Sequence, residues 1–227
     1  MKILIASGGT KIQIDDVRHI DNISSGRRGA KLAEEFAKNN HNVIFFHRKG
    51  SVKPFEMKID VNNIDDGIKH IEHIKTLNID VKYETFNTYD EYRTNLKQTI
   101  AYFKPDAVLL PAAVSDFGVD KIDGKIHDLE CIKMTPLPKI IGEIRSYYNG
   151  FICGFKLLSN VSNDELLKAA HKTLNSLGEG DNSMIAANDL SKIRNNDKKM
   201  LLVFKNNHVI SSDEPEKDIV RYIENNI

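Results

Sequence analysis

The first thirty residues constrain this chain most. Lys2-Ile3-Leu4-Ile5-Ala6 reads as a buried strand, Ser7-Gly8-Gly9-Thr10 follows it, and Ser24-Ser25-Gly26-Arg27-Arg28-Gly29 opens a helix. A buried strand feeding a Gly/Ser-rich segment and then a helix N-terminus suits phosphorylated ligands, because free helix N–H groups and the helix dipole both favour anions. A dinucleotide fold makes this turn tightly. Here about fifteen residues intervene, including Asp15-Asp16-Val17-Arg18 and Asn22, and long ordered loops in compact domains are usually functional. The loop is expected to build a site.

The rest of the chain alternates apolar runs with amphipathic stretches, the pattern of an α/β fold. The expected architecture is a Rossmann-like three-layer sandwich, a mostly parallel sheet with a C-terminal antiparallel hairpin. Strands are expected at 2–6, 42–47, 79–85, 107–110, 151–155 and 183–187, and the hairpin at 200–204 and 208–211. Helices are expected at about 26–39, 89–103, 140–148, 163–177 and 215–225. Residues 52–78 read as a surface insertion, with a polar amphipathic helix over 63–76. Gly118 to Asp128, glycine-bearing and charged, reads as a mobile loop. With no repeat and no linker, residues 1–227 are expected to form a single domain.

Composition narrows the function classes. The 32 basic and 32 acidic residues cancel, which argues against nucleic acid as a bulk electrostatic partner. No apolar run is long enough to span a bilayer, so no membrane partner is expected. Cys131 and Cys153 have no metal-ligand spacing and suit a reduced compartment. With a strand starting at residue 2 and no leader pattern ahead of it, the expected location is the cytoplasm.

The motif Ser24-Ser25-Gly26-Arg27-Arg28-Gly29 supplies hydroxyls, helix-start N–H groups and two cations, all favouring phosphate; an ordinary Ser N-cap is the plainer reading. Ala112-Ala113-Val114-Ser115-Asp116-Phe117 lies past the end of a buried strand, where open α/β sheets place their chemistry. Asp116 there suits a ribose or a metal, or simply caps a turn. Lys121 and Lys125 gain value only if their loop closes over a polyphosphate. Phe155 is either core or a platform for a base. His47, His70, His73, His127 and His171 show no triad or ligand spacing and read as surface residues. A nicotinamide site lacks its ribose acid, since His47-Arg48 follows the second strand.

Taken in order, Ser7-Gly8-Gly9-Thr10, Ile14 to Arg18, Asn22 to Gly26, Ala112 to Phe117, Thr135-Pro136, Pro138 to Ile141, Gly154 to Leu158 and Ala187 to Leu190 resemble the phosphopantothenate–cysteine ligase family, in its stand-alone bacterial form. The resemblance implies coupling of 4′-phosphopantothenate to L-cysteine through an acyl-nucleotide, with Mg²⁺, with CTP favoured over ATP, and in a homodimer. It implies that Asn22 and Lys121 are catalytic. Gly8, Gly9, Ala112 and Asp116 would meet the nucleotide, as would Lys125, Pro138, Lys139, Ile140, Ile141, Phe155 and Lys172. Ser24, Ser25, Gly26, Ala113 and Asn188 would meet the acid substrate. Lys121-Ile122 and Lys125-Ile126 both fit the flap motif, and a second phosphate lysine expected a turn after Lys172 is Ser176 here. An oxidoreductase and a non-catalytic nucleotide-binding relative remain as alternatives.

Overall fold

The computed structural model describes residues 1–56, 72, 80–127, 131–178, 180, 182–195, 197 and 199–227. In chain order the strands are β1 (Lys2–Ser7), β2 (Lys11–Gln13), β3 (His19–Asp21), β4 (Asn42–Arg48), β5 (Asp80–Phe86), β6 (Ala107–Leu110), β7 (Phe117–Gly118), β8 (Thr135–Pro136), β9 (Phe151–Leu158), β10 (Ser183–Asp189), β11 (Met200–Phe204) and β12 (Val209–Ser212). The helices are α1 (Arg27–Lys38), α2 (Tyr89–Phe103), α3 (Ile140–Ile144), α4 (Asn163–Asn175), α5 (Leu190–Arg194) and α6 (Pro215–Asn226).

Eight strands form one sheet in the order β12-β11-β10-β9-β6-β1-β4-β5. Those from β10 to β5 are parallel, and β11 and β12 close the far edge antiparallel. β1 and β6 read as continuous apolar runs because both their faces are covered. Leu4, Ala6, Val108, Leu110 and Ile152 pack under α2, α3 and α4, whereas Ile3, Ile5, Leu109 and Cys153 pack under α1 and α6. Alternation along each strand splits the core into these two layers. β5 is an edge strand and carries Asp80, Lys82 and Glu84 along one face.

Local chemistry fixes the helix ends. α2 and α4 begin with reciprocal capping boxes, Thr88 with Glu91 and Ser162 with Glu165. α2 stops at Lys104, which takes a left-handed φ of 51° just before Pro105. The expected sandwich and its C-terminal hairpin are both present.

Three details differ from expectation, and a fourth expectation is not reached by the described residues. The long first loop holds a small antiparallel hairpin, β2–β3, paired from Lys11↔Asp21 to Gln13↔His19. Three-residue strands are too short to give a clear alternation signal. β9 runs to Leu158 rather than Phe155, because its pairing with β10 continues to Leu158↔Asp189. The helix expected over 140–148 ends at Ile144 and continues as turns. The helix expected over 63–76 lies outside the described residues, Glu72 excepted.

Candidate functional site

Strand order reverses between β1 and β6, and the segments leaving these two strands meet there. Such a switch point opens a crevice at the carboxyl ends of the strands. Here the crevice walls are stitched together. Ala113 N–H donates to Gly8 O (2.8 Å) and Thr10 N–H to Ala113 O (3.1 Å). The Thr10 hydroxyl meets the Ser115 hydroxyl at 3.0 Å and accepts from the Ser115 N–H at 2.9 Å. Both side chains are buried. The first loop and the Ala112–Phe117 loop therefore behave as one unit.

Asn22 belongs to this unit. Its N–H donates to Thr10 O (3.3 Å), and Gly9 packs so tightly against its carbonyl that an added Cβ would collide with the oxygen. The preceding Asp21 accepts both guanidinium nitrogens of Arg48 at 2.7 and 2.6 Å, tying the hairpin to the end of β4. Gly8 holds φ +95°, and a Cβ there would sit 2.7 Å from that of Arg48. Backbone and neighbours thus fix Asn22, while its amide makes no hydrogen bond to any described residue.

The start of α1 faces the same rim. Gly26 precedes it with φ +75°, and the Ser7 hydroxyl donates to Gly26 O (2.9 Å). The plain N-cap reading does not hold here. No side chain caps α1, and its first turn contains no acid, unlike α2 and α4. The Ser24 and Ser25 hydroxyls only brush the Gly26 and Arg27 N–H groups at 3.4 Å. Helix-start N–H groups thus remain available to an anion. Of the two arginines, Arg28 is committed to Glu216 of α6 (2.8 Å).

Past the crevice, Asp116 ion-pairs with Lys139, so two expected nucleotide contacts meet. Pro138 O accepts the Tyr89 hydroxyl at 2.7 Å, and Arg93 grips Glu143 with two nitrogens at 2.7 and 2.9 Å. α2 therefore positions the Pro138–Ile141 segment. Ile140 is core, leaving only its backbone for a ligand, and Ile141 lies over Gly154. Phe155, midway along β9, is half-buried, and Asn188, near the end of β10, is buried. Asn188 Oδ1 accepts the Asp189 N–H (2.7 Å), but its buried Nδ2 has no partner. A buried donor without an acceptor is costly.

The model of the C-terminal domain of DNA/pantothenate metabolism flavoproteins (DFP) matches residues 1–225. The chain belongs to this family.

The DFP chain is 31% identical over 207 residues to the coenzyme A biosynthesis bifunctional protein CoaBC of Thermococcus kodakarensis, covering 89% of itself and 44% of that protein. With CoaBC of Methanocaldococcus jannaschii it shares 32% over 194 residues, 84% of itself and 41% of the relative. It therefore spans less than half the length of these two curated relatives. Phosphopantothenate–cysteine ligase 1 of Arabidopsis thaliana is 29% identical over 207 residues, with 76% and 65% covered. A solved Cab2 variant in complex with phosphopantothenate-cysteine superposes with a TM-score of 0.80 at 24% identity, over 99% of this chain and 85% of that one. The DNA/pantothenate metabolism flavoprotein of Streptococcus pneumoniae gives 0.75 at 21%, with 99% of each chain covered. These structural likenesses establish the fold.

Other expected site residues of this DFP chain fall elsewhere. Lys172 is exposed on the outer face of α4. α4 starts near the rim and runs away from it. Its far end is knotted by Arg145, which donates to Leu177 O, Gly150 O and Asn182 O where β9 and β10 begin. Lys172 lies ten residues past the Ser162 cap, roughly 15 Å along the helix axis. It is not brought to the rim within this chain, and Ser176 lies farther still. Periodicity gave the helix but not its direction relative to the rim.

The loop expected to be mobile is pinned over its described part. Lys121 pairs with Asp16 at 2.7 Å, Ile122 N–H donates to Ile14 O (2.9 Å), and Ile126 N–H donates to Asp15 Oδ2 (3.1 Å). Lys125 points outward without a partner among the described residues. Lys121 is therefore held at the hairpin tip and does not touch Asn22. His47 is buried rather than on the surface. It stacks on Phe45, and burial lowers its pKa against the pull of its bond to Arg48 O.

Sequence reasoning missed Asp15 and Asp189 as fixed anchors. Both are buried. Burial raises the Asp15 pKa, but N–H groups of Ile126, Val17 and Arg18 and the Arg18 charge outweigh it, and the net shift is downward. Asp189 is likewise opposed by burial, yet Ser191, Val161 and Asn160 bring it down to about 2. The signal for each was an aspartate followed within a few residues by turn-forming positions. An unfolded aspartate titrates near 3.9. Asp189 should therefore stabilise the fold fully above about pH 4 and lose that contribution as pH falls toward 2. In Asp189→Asn, melting temperatures measured across this range should lose part of that pH dependence.

No three His, Cys, Asp or Glu side chains converge into a metal-holding group among the described residues. Among the same residues, no helix is long and apolar enough to cross a membrane.

Proposed function

We propose that residues 1–227 form one ligase domain that joins 4′-phosphopantothenate to L-cysteine in coenzyme A biosynthesis, using CTP in preference to ATP. The observation that carries this reading is the single rim. A fixed Asn22 with an unspent amide, an uncapped helix start and the orphan Asn188 amide all lie where the parallel strands end. The family match supports it, as do relatives named for this ligation and for coenzyme A biosynthesis.

The chemistry needs alignment more than exotic groups. A carboxylate is a poor acylating agent at neutral pH. Its oxygen attacks the α-phosphorus of the nucleotide, a new O–P bond forms, and the bond to pyrophosphate breaks. The cysteine amine then attacks the acyl carbon, loses a proton and expels the nucleoside monophosphate. Asn22 is suited to donate its amide to the acyl oxygen as negative charge gathers there. The α1 N-terminus, with Ser24, Ser25 and Gly26, suits the phosphate of the acid. Asp116, Lys139 and the Pro138–Ile141 backbone, with Phe155, suit the nucleotide. Arg48 is spent on Asp21, which speaks against a dinucleotide ribose at that position.

The test is pyrophosphate release with CTP or ATP, each with and without phosphopantothenate and cysteine. Release that requires the acid, with amide only when cysteine is added, is the expected result. Release without the acid, or none, removes the reading; fluorescence titration with NADPH would then address the oxidoreductase alternative.

Lys121→Gln should slow turnover about ten- to a hundredfold while the KM for phosphopantothenate changes little. Lys125→Gln should stay close to the parent. Steady-state kinetics that reverse this order would transfer the flap role to Lys125.

The same reading includes a homodimer in the cytoplasm. Both cysteines are free thiols. Ile23 is fully exposed beside Asn22, Phe117 is exposed past the crevice, and Val17 and Ile122 are exposed at the hairpin tip. Such apolar side chains suit contact with a second copy. Ile23→Asp should shift sedimentation toward monomer, and an unchanged sedimentation coefficient would place the contact elsewhere.

A further inference from the structure

The turn between β2 and β3 presents two adjacent aspartates with different tasks. Asp15 is saturated. Its Oδ1 accepts the Val17 and Arg18 N–H groups at 2.8 and 2.6 Å, and its Oδ2 accepts the Arg18 guanidinium and Ile126 N–H at 2.9 and 3.1 Å. Asp16 instead points to solvent and to the strap formed by residues 121–126. Its Oδ1 takes the Lys121 ammonium at 2.7 Å, its Oδ2 accepts Gly124 N–H at 3.0 Å, and its own N–H donates to Gly124 O at 3.0 Å.

Taking Lys121 as the phosphate-facing lysine of the ligase reading, we propose that Asp16 is a positioning residue: it holds the Lys121 ammonium at the hairpin tip and yields it to the phosphates of an incoming nucleotide. Three observations carry this.

Location comes first. Asn22 returns to the sheet beside Thr10, while the Asp16 turn lies beyond the three residues of each hairpin strand. Three extended residues span roughly 10 Å, so Lys121 is parked well short of the crevice. The pair is also exchangeable. Both partners are about half exposed, at 43% and 55%, and an exposed single-charge pair is weak against a polyphosphate carrying several charges. Finally, the strap has separate anchors. The bonds from Ile122 to Ile14, from Ile126 to Asp15 and from Arg18 to Ile126 O do not involve the Asp16 carboxylate. Lys121 can therefore swing while the strap keeps its course.

The other charges near the pair fit this assignment. Asp123 approaches Lys121 only at 3.9 Å, and Asp15 is neutralised by Arg18. Hydrogen bonding to Lys121, then Gly124, lowers the Asp16 pKa, and the same contact raises that of Lys121. Asp16 is thus the anion that Lys121 must leave.

Asp16→Asn isolates the charge, because an amide oxygen can still accept the Gly124 N–H. Two measurements on the full chain test the proposal. The first is trypsin cleavage at the Lys121–Ile122 bond in nucleotide-free protein. Cleavage should be about fivefold faster in D16N, since the ammonium is no longer held. The second is the kinetic split. In D16N the nucleotide KM and kcat should fall together, each about two- to fivefold. The lysine then meets phosphate without a competitor but lacks the acid that draws it off at product release. Asp16→Glu should restore both measurements toward the parent.

A purely structural role would raise KM as kcat fell. Equal cleavage rates in parent and D16N, or an unchanged or raised nucleotide KM, would overturn the proposal. Failure of the parent protein to form amide with CTP or ATP would remove the ligase reading instead. The cleavage rates would then still decide whether Asp16 holds the Lys121 side chain.

Discussion

Gly9→Ala should reduce amide formation about a hundredfold in the protein that still folds. The Gly9 backbone is not left-handed, so alanine is allowed there in its own right. The obstacle is the Asn22 carbonyl, which the new methyl group would strike. The clash must push Asn22 away from Thr10 while Gly8 and Ala113 keep their bond. A displacement near 1 Å at an aligned reacting centre costs about two orders of magnitude. The circular dichroism spectrum should keep its parental shape while the melting temperature falls, because a backbone carbonyl must give way, and calorimetry should still detect nucleotide. Full turnover in this variant would mean that Asn22 is not positioned through Gly9.

Asn22→Asp should stop the coupling at its second half. The change keeps the shape of the side chain but replaces an N–H donor with a carboxylate. A donor aimed at a developing oxyanion is worth about two to three orders of magnitude in rate. A carboxylate there repels the same charge. The nucleotide contacts proposed for Asp116, Lys139 and the Pro138–Ile141 backbone are untouched, so binding should persist. Amide formation, followed by mass spectrometry with cysteine present, should fall about a hundredfold or more while calorimetric nucleotide binding remains. Normal amide yield would take Asn22 out of the mechanism.

Much of this was legible in the sequence. The buried strands announced themselves as apolar runs such as Val43 to Phe46 and Ala107 to Leu110, because a parallel sheet covered on both faces needs them. The glycines at 8, 9 and 26 stood out in the sequence as parts of anion-favouring loops, but the crowding by Arg48, Asn22 and Ser51 that surrounds them did not. What stayed hidden was pairing across distance. Thr10 with Ser115 and Asp16 with Lys121 are each about a hundred residues apart. No local pattern encodes such partners. Lys172 shows the same limit, since a motif match names a residue type but not which end of a helix faces the rim.

The charged border of β5 has a consequence for assembly. If two copies paired these edges antiparallel about Lys82, each Asp80 would oppose a Glu84 and the two lysines would oppose each other. Every such couple is like-charged, and directly opposed like charges weaken a cross-strand ladder. That register of edge-to-edge pairing is therefore disfavoured.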